Sequence, residues 1–183
     1  MSKITHGGGL ALFWKRDFDL KVDSSSLNHI NVIINDGKEN AWRFTGFYRA
    51  PETQLRIESW NLLRNLNGQS SLPWLCASDF NKLLKFHEKL GGRLRPYGQM
   101  QLFHEALDEC GLYDLNFIVK KFTWFKHYPK GGSIWERLDR AVCTVEWFSL
   151  FPSKKVQTLS CVSSNYSPII ILPDGIAPKQ QKP

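Results

Sequence analysis

The sequence contains few cysteines, and no two of them have the spacing of a metal site. Cys76, Cys110, Cys143 and Cys161 never form a C-x-x-C pair, which excludes the common zinc sites and the disulfide framework of a small secreted domain. We therefore expect buried free thiols. The sequence also lacks a charged and then apolar leader, and any apolar run near the roughly 20 residues of a membrane span. These absences predict a soluble, intracellular protein with no membrane partner.

Phosphate-binding loops and histidine metal sites are also missing from the sequence. The glycines at 7–9 are not followed by Lys and then Ser or Thr, and those at 91–92 do not precede a helix start, so neither cluster predicts nucleotide binding. We expect surface or core roles for the five histidines, none of which has metal-ligand spacing: His6, His29, His87, His104 and His127.

The composition indicates one folded domain with a basic surface. The chain has 183 residues, of which 42% are apolar and seven are Trp, and this is enough to form a core. We assign residues 1–172 to the domain and residues 173–183 to a flexible tail. A formal net charge of +7 favours a polyanionic partner such as DNA. Because the basic residues are scattered, an ordinary solvated surface is the alternative interpretation.

Three strand-like segments open the chain and predict a β-meander. Their apolar residues alternate or run on continuously, which is typical of half-buried and fully buried strands. Asp36-Gly37 is a hairpin turn signal between the second and third strands, and Pro51 ends the third. The three predicted strands cover residues 10–15, 28–35 and 41–48.

A helix, a strand and a second helix are predicted next. The strand, over residues 72–77, delivers the polar cluster at 78–81 to its C-terminal end, where the sites of layered α/β proteins usually lie. Apolar residues at three- and four-residue spacing predict both helices. The helices cover residues 52–66 and 99–110, with Gly68 and Gly111 as their stops, and a loop rich in Gly and Arg lies between them at 88–97.

The last third of the chain predicts a second sheet. Its strand-like segments are short and apolar, and one short helix over residues 145–151 interrupts them. The four predicted strands cover residues 122–125, 134–143, 156–162 and 168–172.

Seven blocks, in one order between about residue 8 and residue 172, are together similar to a known family. They are WRFTGFY at 42–48, PWLCASDFN at 73–81, EKLGGR at 88–93, CGLYDL at 110–115, FTW at 122–124, ERLDRA at 136–141 and SSNYSPI at 163–169. In this order they resemble the endonuclease/exonuclease/phosphatase (DNase I-like) superfamily, in the form carried by plant LINE-type (non-LTR) retrotransposons.

The resemblance implies a fold, a chemistry and a partner. The fold is a four-layered α/β sandwich of the DNase I-like type, with two packed mixed sheets flanked by helices, here lacking its N-terminal strands. Family members hydrolyse phosphodiesters with Mg²⁺, which polarises the phosphate as a Lewis acid. The implied partner is DNA, near which Phe122 and Trp124 match aromatic residues of the family. We expect a monomer, and a nuclear location is consistent with the family.

Several functional residues of the family have counterparts here. Asp79 and Asn81 match the Asp-Phe-Asn motif, in which the Asp positions and helps deprotonate the attacking water and the Asn holds a phosphate oxygen. Tyr48 matches a phosphate-contacting tyrosine. Asp139 matches the carboxylate that orients the catalytic histidine, because an acceptor fixes the tautomer and position of an imidazole.

The sequence departs from the family at the Ser-Asp-His motif, which reads Ser164-Asn165-Tyr166. Tyr166, at the histidine position, stays neutral at physiological pH and cannot replace an imidazole as acid or base. Asn165, at the position of an Asp, keeps a carbonyl oxygen for a metal but loses the charge that favours a hard cation. Ser78 replaces a glycine, which predicts crowding of the backbone beneath the site.

The family's N-terminal Asn motif and metal-binding Glu motif have no counterpart in the sequence. Catalytic groups act as a unit, and the loss of one costs several orders of magnitude in rate. We therefore expect a truncated, catalytically impaired copy of the endonuclease domain, with weakened Mg²⁺ binding. No metal role is assigned to the acidic residues before position 40, which lie in loop-like or out-of-register places: Asp17, Asp19, Asp23, Asp36 and Glu39.

Other interpretations stay open, and the sequence does not decide whether the chain is an enzyme. One alternative is a nucleic-acid-binding module without the chemistry, and another is a translated retroelement fragment with no selected function. Asp79 and Asn81 are also typical of a turn at a strand end. Asp139 is equally consistent with a structural ion pair to Arg137 or Arg140.

Overall fold

The computed structural model describes residues 10–48, 56–118, 120–129, 131–161 and 163–175. Among these residues no helix is long and apolar enough to cross a membrane. Four predictions lie partly outside the described residues: the strand end at Pro51, the first part of the helix at 52–55, the strand end at Val162 and the tail beyond residue 175.

Eleven strands and three helices follow one another along the described part of the chain. In chain order they are β1 (Leu20–Ser25), β2 (His29–Ile34), β3 (Trp42–Tyr48), α1 (Arg56–Gly68), β4 (Trp74–Asp79), β5 (Lys89–Leu90), α2 (Tyr97–Glu109), β6 (Tyr113–Asp114), β7 (Trp124–His127), β8 (Ser133–Glu136), β9 (Asp139–Cys143), α3 (Val145–Leu150), β10 (Lys155–Thr158) and β11 (Ile169–Leu172).

Six of the strands form the main sheet, in the order β1-β2-β3-β4-β9-β6. The first three form an antiparallel meander, and β3 pairs in parallel with β4 after the crossover through α1. Strand β9 pairs antiparallel with both β4 and β6. The C-terminal ends of β3 and β4 therefore meet the N-terminal end of β9 at one edge of the sheet.

Two small sheets, ordered β5-β8-β7 and β10-β11, form a second layer. The segment before β11 joins them through backbone hydrogen bonds. The Phe125 amide donates to the Asn165 carbonyl at 2.9 Å, and the Ser167 amide donates to the Thr123 carbonyl at 2.7 Å. Further along, the Leu159 amide donates to the Pro168 carbonyl at 2.8 Å. One extended segment thus pairs first with β7 and then, as β11, with β10.

Each face of the main sheet has its own apolar core. Helices α1 and α2 cover one face, where the buried residues include Leu63, Trp74 and Phe103. On the other face, Leu75 and Trp147 belong to a second cluster that reaches β10 and β11 of the second layer. Burial of such side chains is the main favourable contribution to folding. The predicted α/β fold with packed mixed sheets is therefore confirmed.

A buried chain of polar side chains crosses the main sheet. The Trp74 indole donates to the Thr45 hydroxyl at 2.9 Å, the Thr45 hydroxyl donates to Asn31 Oδ1 at 2.8 Å, and the Asn31 amide donates to Asp23 at 2.9 Å. Thr45 itself is completely buried. The hydroxyl of Thr45 therefore satisfies two buried groups at once.

Replacing Thr45 by Val keeps the side-chain volume but leaves the Trp74 N–H and Asn31 Oδ1 without this partner. Since an unsatisfied buried polar group costs about 1–3 kcal/mol, we expect the free energy of unfolding to fall by about that amount. Urea denaturation of Thr45→Val beside the wild type measures the change. A variant as stable as the wild type would contradict the proposed importance of this chain of hydrogen bonds.

The prediction of a strand at residues 10–15 is wrong. These residues form no regular element, and the side chains of Phe13 and Trp14 are 91% and 50% exposed. The position beside β2 is occupied instead by β1, which the sequence analysis missed because only Leu20 and Val22 alternate in it. Its polar residues suit an exposed sheet edge, where large apolar side chains favour aggregation.

The assignment of residues 134–143 to one strand of the second sheet is also wrong. The segment breaks at Arg137 and Leu138, so that β8 lies in the second layer whereas β9 lies in the main sheet. Both residues at the break are buried, and their burial explains why the apolar pattern did not reveal it. The predicted loop at 88–97 contains the short strand β5, which pairs with β8.

The cysteines differ in their environments. Burial raises the pKa of the Cys76 and Cys143 thiols to about 12 and that of Cys110 to about 11. Cys161 is only partly buried, so the prediction of a buried thiol is wrong there. Hydrogen bonding from the Ser163 hydroxyl and backbone lowers the pKa of Cys161. This thiol is therefore the most reactive of the four.

Candidate active site

Three of the predicted site residues lie at the shared edge of β3, β4 and β9. Tyr48 is the last residue of β3 and pairs in register with Asp79, the last residue of β4. Asp79 in turn pairs with Asp139, the first residue of β9. The sheet register alone thus places a phenol and two carboxylates side by side at one edge of the main sheet.

Asp79 and Asn81 form a tight turn immediately after β4. The Asn81 amide donates to Asp79 Oδ1 at 2.9 Å, and Asn81 adopts a left-handed backbone conformation with φ of 51°. Asn tolerates this conformation better than most residues do. The turn interpretation is therefore correct for the backbone of these residues.

Ser78, at the glycine position of the family, does not disturb the strand. Its side chain is buried, and its hydroxyl donates to the Phe47 carbonyl on the neighbouring strand β3. The register of β4 with β3 and β9 continues through this residue, and the expected crowding beneath the site stays a prediction.

Asp139 is a carboxylate in an unfavourable environment for its charge. Its Oδ2 atom is buried and has no hydrogen-bond partner among the described residues. Burial, and then the nearby charge of Asp79, raise the pKa of Asp139 from 3.8 to about 7, although hydrogen bonding from Thr123 opposes the rise. Near neutral pH this side chain therefore exists both as a neutral acid and as a carboxylate.

Arg137 and Arg140 do not pair with Asp139, so that alternative is wrong. Arg140 is fully buried and donates to Glu88 at 2.8 Å and to Asp114 at 2.7 Å. Arg137 donates to the same two carboxylates, at 3.2 and 2.6 Å. The four side chains form a closed network in which two positive charges face two negative charges. This network ties β9 to the loop before β5 and to β6.

Tyr166 lies on the segment of the second layer that pairs with β7. It forms an isolated bridge with Trp124, and its side chain is 43% exposed. Partial burial raises the pKa of its phenol, and the charges of Asp79, Asp139 and Tyr48 raise it further. The phenol is therefore within electrostatic range of all three groups and stays protonated at neutral pH.

Asn165 is exposed and is held through its backbone. Its carbonyl accepts the Phe125 amide, and no described side-chain hydrogen bond links it to Asp79 or Asp139. The two aromatic residues predicted near DNA also separate. Trp124 packs against the buried cluster that contains Met100, whereas Phe122 lies in a pocket on the second layer.

The site offers few side chains that could bind a magnesium ion. No group of three or more His, Cys, Asp or Glu side chains that could hold a metal occurs among the described residues. The pair Asp79 and Asp139 remains, with the unpartnered Oδ2 of Asp139. Mg²⁺ in phosphoryl-transfer sites is commonly bound by one or two carboxylates, with water and substrate phosphate as its other ligands. Asp79 and Asp139 are sufficient for this kind of binding, but they are too few to coordinate the ion with protein ligands alone.

Thr123 is a residue of this site whose role the sequence analysis missed. It is completely buried, and its hydroxyl accepts the backbone amides of Leu138 and Asp139 at 3.0 and 2.9 Å. Thr123 thus fixes the start of β9 and the position of the Asp139 carboxylate. The position of Thr123 within the FTW block was the sequence feature that could have indicated this role.

Known structures share this architecture at low sequence identity. The chain is similar to the endonuclease domain of TRAS1, a telomere-specific non-LTR retrotransposon, with a TM-score of 0.65 and 15% identity over 86% of this chain and 69% of that domain. No protein-family model and no curated protein sequence matches the chain.

Two further solved structures match with TM-scores below 0.5, and the assignment of the fold does not rest on them. The human Nocturnin catalytic domain has a TM-score of 0.44 and 9% identity over 84% of this chain and 60% of its own. Truncated Caenorhabditis elegans TDP2 has a TM-score of 0.43 and 14% identity over 83% of this chain and 63% of its own. The chain thus has a DNase I-like α/β fold, which a retrotransposon endonuclease domain also adopts.

Proposed function

We propose that this chain derives from a Mg²⁺-dependent phosphodiesterase or DNA endonuclease domain of a non-LTR retrotransposon, and that its hydrolytic site is impaired. The observation that carries the proposal is the position of Tyr166. Its neighbour Ser167 donates to the Thr123 carbonyl, and the Thr123 hydroxyl holds the backbone amide of Asp139. This position supports descent from a phosphodiesterase site in which a neutral phenol stands where the family has an imidazole. Such a phenol donates a hydrogen bond yet does not exchange a proton near neutral pH.

The remaining residues retain parts of the chemistry. Tyr48 and Asn81 supply donors for phosphate oxygens, and Asp79 supplies an acceptor for an attacking water. Asp139 holds or releases a proton near neutral pH because of its raised pKa of about 7. Mg²⁺, when bound by Asp79 and Asp139, supplies Lewis-acid polarisation of the phosphate. Positioned acid–base groups contribute about 10²–10⁴-fold to rate, so replacing the imidazole by Tyr166 alone predicts a large loss.

We expect no Mg²⁺-dependent nicking of supercoiled plasmid by the wild-type chain above the level of an Asp79→Asn, Asp139→Asn double variant. Both proteins are incubated with Mg²⁺ and with EDTA, and relaxed plasmid is quantified on agarose gels. The double variant serves as the control for contaminating nuclease, since it removes both carboxylates of the site. EDTA-sensitive nicking by the wild type at a rate near that of an intact endonuclease would contradict the proposal.

A second candidate function is DNA binding without hydrolysis. It is favoured by the exposed lysines that precede and enter β7, at Lys120, Lys121 and Lys126. Strand β7 is bonded to the segment that carries Tyr166, so these charges lie beside the candidate active site. Together with the net charge of +7, they provide an electrostatic surface for phosphates.

We expect the affinity for a short duplex to fall as salt rises. About three phosphate contacts predict a loss of roughly 40-fold between 50 and 200 mM salt. Replacing Lys120, Lys121 and Lys126 by Gln should flatten the logarithmic salt slope by about 3, whereas the control Lys38→Gln, which alters an amine paired with Asp19, should leave it unchanged. Fluorescence anisotropy measures both slopes. A salt-independent affinity, or no binding at low salt, eliminates this function.

A further inference from the structure

A pocket of about 430 Å³ lies on the second layer beside the candidate active site. Such a volume is within the range of about 300–1,000 Å³ that is typical of small-molecule sites. Ser167 lines this pocket and is the next residue after Tyr166. The pocket is therefore separated from the carboxylates by one strand segment. Neither carboxylate lines it, so it is a second feature and not part of the candidate active site.

The floor of the pocket is aromatic. Phe125 and Trp135 are cross-strand partners on β7 and β8, with stacked rings whose centroids are 5.1 Å apart and whose planes are inclined by 25°. Phe122 extends this surface, with its ring centroid 6.3 Å from that of Trp135. Trp135 remains 39% exposed. Since Trp124 packs against a buried cluster on the other face of β7, these three rings form a separate platform that is open to solvent.

The rim of the pocket is basic and hydroxylated. Lys121 lies over the Phe122 ring, with its amine 5.1 Å from the centroid. Lys120 donates to the Ser160 hydroxyl at 2.9 Å. Ser160, Ser167 and Cys161 complete the lining, and no acidic residue is among the residues that line it. The pocket therefore joins an aromatic surface, in which the Phe122 ring is inclined by 45° to that of Trp135, to positive charge and to small hydrogen-bonding groups.

We propose that this pocket binds an unpaired nucleobase of a DNA strand that occupies the neighbouring site, an inference that rests on the proposed DNA binding. A base stacks on Trp135 with the inclined ring of Phe122 as a side wall, its flanking phosphates face Lys120 and Lys121, and its polar edge meets the serine hydroxyls. Aromatic platforms beside positive charge bind single-stranded nucleic acid in this way, whatever the base. A purely apolar ligand would make no contact with the charges of the lysines, and a simple anion would make no stacking contact with the rings, whereas a nucleotide makes both.

The first test separates the base from its phosphate. A labelled duplex carries a short overhang of thymidines, and a second carries an overhang of abasic residues with the same number of phosphates. Base stacking predicts about tenfold tighter binding of the thymidine overhang, on at least one strand polarity. Trp135→Ala should abolish the difference, and the control Trp14→Ala, which alters a tryptophan that is 50% exposed elsewhere, should retain it. Equal affinity of wild type for both overhangs overturns the proposal.

A second measurement uses the unaltered protein. Cys161 lines the pocket and is the one cysteine of the chain that is not buried. Alkylation by iodoacetamide, followed by intact-protein mass spectrometry, therefore reports access to the pocket. The thymidine overhang should slow alkylation at least several-fold, and the abasic overhang should not. An unchanged alkylation rate with saturating thymidine overhang contradicts the inference.

A blunt duplex distinguishes the failure of this inference from the failure of DNA binding. If the blunt and abasic duplexes bind and thymidine adds nothing, the pocket has no base-binding role but DNA binding stands. If no duplex binds at low salt, DNA binding itself fails, and the inference fails with it. Tighter binding of the thymidine overhang together with protection of Cys161 supports both.

Discussion

Replacing Arg140 by Met is expected to lower the free energy of unfolding by about 3–5 kcal/mol. Arg140 is completely buried and donates to both Glu88 and Asp114. Removing one partner of a buried ion pair leaves a charge in a medium of low dielectric, which costs about 3–5 kcal/mol. Arg137 compensates only in part, since it already bonds to the same two carboxylates.

Arg64→Met is the matched control for this experiment. Arg64 pairs with Glu109 at the surface, where the two side chains are 35% and 55% exposed. Exposed pairs contribute about 0–1 kcal/mol, so we expect a correspondingly small change. Urea denaturation followed by circular dichroism measures both variants. Equal small effects would contradict the structural role of the buried network, and a broad, non-cooperative wild-type transition would favour the translated-fragment interpretation.

Asp139 should make the protein less stable as pH rises. Its pKa is raised from 3.8 to about 7 by burial and by Asp79. The folded state therefore holds a proton that the unfolded state has already released, and stability decreases between these two pKa values. One pKa unit corresponds to about 1.4 kcal/mol. The wild type should thus lose about 2–3 kcal/mol relative to Asp139→Asn between about pH 5 and pH 8.

The difference between the two proteins isolates Asp139 from other groups. Ion pairs lower the pKa of Glu88 and Glu136 despite their burial, and these groups add stability that is lost as pH falls. They are present in both proteins and cancel in the comparison. Asp108→Asn, at an exposed position, is the control. A stability difference between wild type and Asp139→Asn that does not change with pH would contradict the raised pKa.

The sequence predicted well the elements whose apolar pattern is strong. Strands β2, β3 and β4 and the helix α2 lie where alternation or helical spacing placed them. Their apolar residues are largely buried, so local pattern and tertiary burial agree. The turn after β4 was also predictable, because Asp and Asn at the end of a buried strand favour turns through hydrogen bonds to the backbone.

Other elements depend on contacts that a local pattern does not contain. The strand assigned to residues 134–143 breaks because Arg137 is drawn into the ion network with Glu88, which lies far away in sequence. Within the described part of the chain, the apolar residues at 10–15 have no strand as a partner, whereas the polar β1 does. In each case tertiary pairing overrides local propensity.

The candidate site was predicted residue by residue, but its environment was not. Motif matches identified Tyr48, Asp79 and Asp139, and strand register brings them together. The proton affinity of Asp139 depends on burial and on the distance to Asp79, neither of which a sequence contains. Likewise, the separation of Trp124 from Phe122 follows from which face of the second layer each residue occupies.

The most direct test of the account follows binding and cutting of one DNA in the same samples. A fluorescent duplex is mixed with excess protein in Mg²⁺, so that product release does not limit the result. Anisotropy reports binding at once, and denaturing gels report strand cleavage over hours. The account predicts salt-sensitive binding without EDTA-sensitive cleavage beyond that of Asp79→Asn, Asp139→Asn. Rapid cleavage by the wild type, lost in that double variant, would show that Tyr166 does not disable the site and would contradict the central claim.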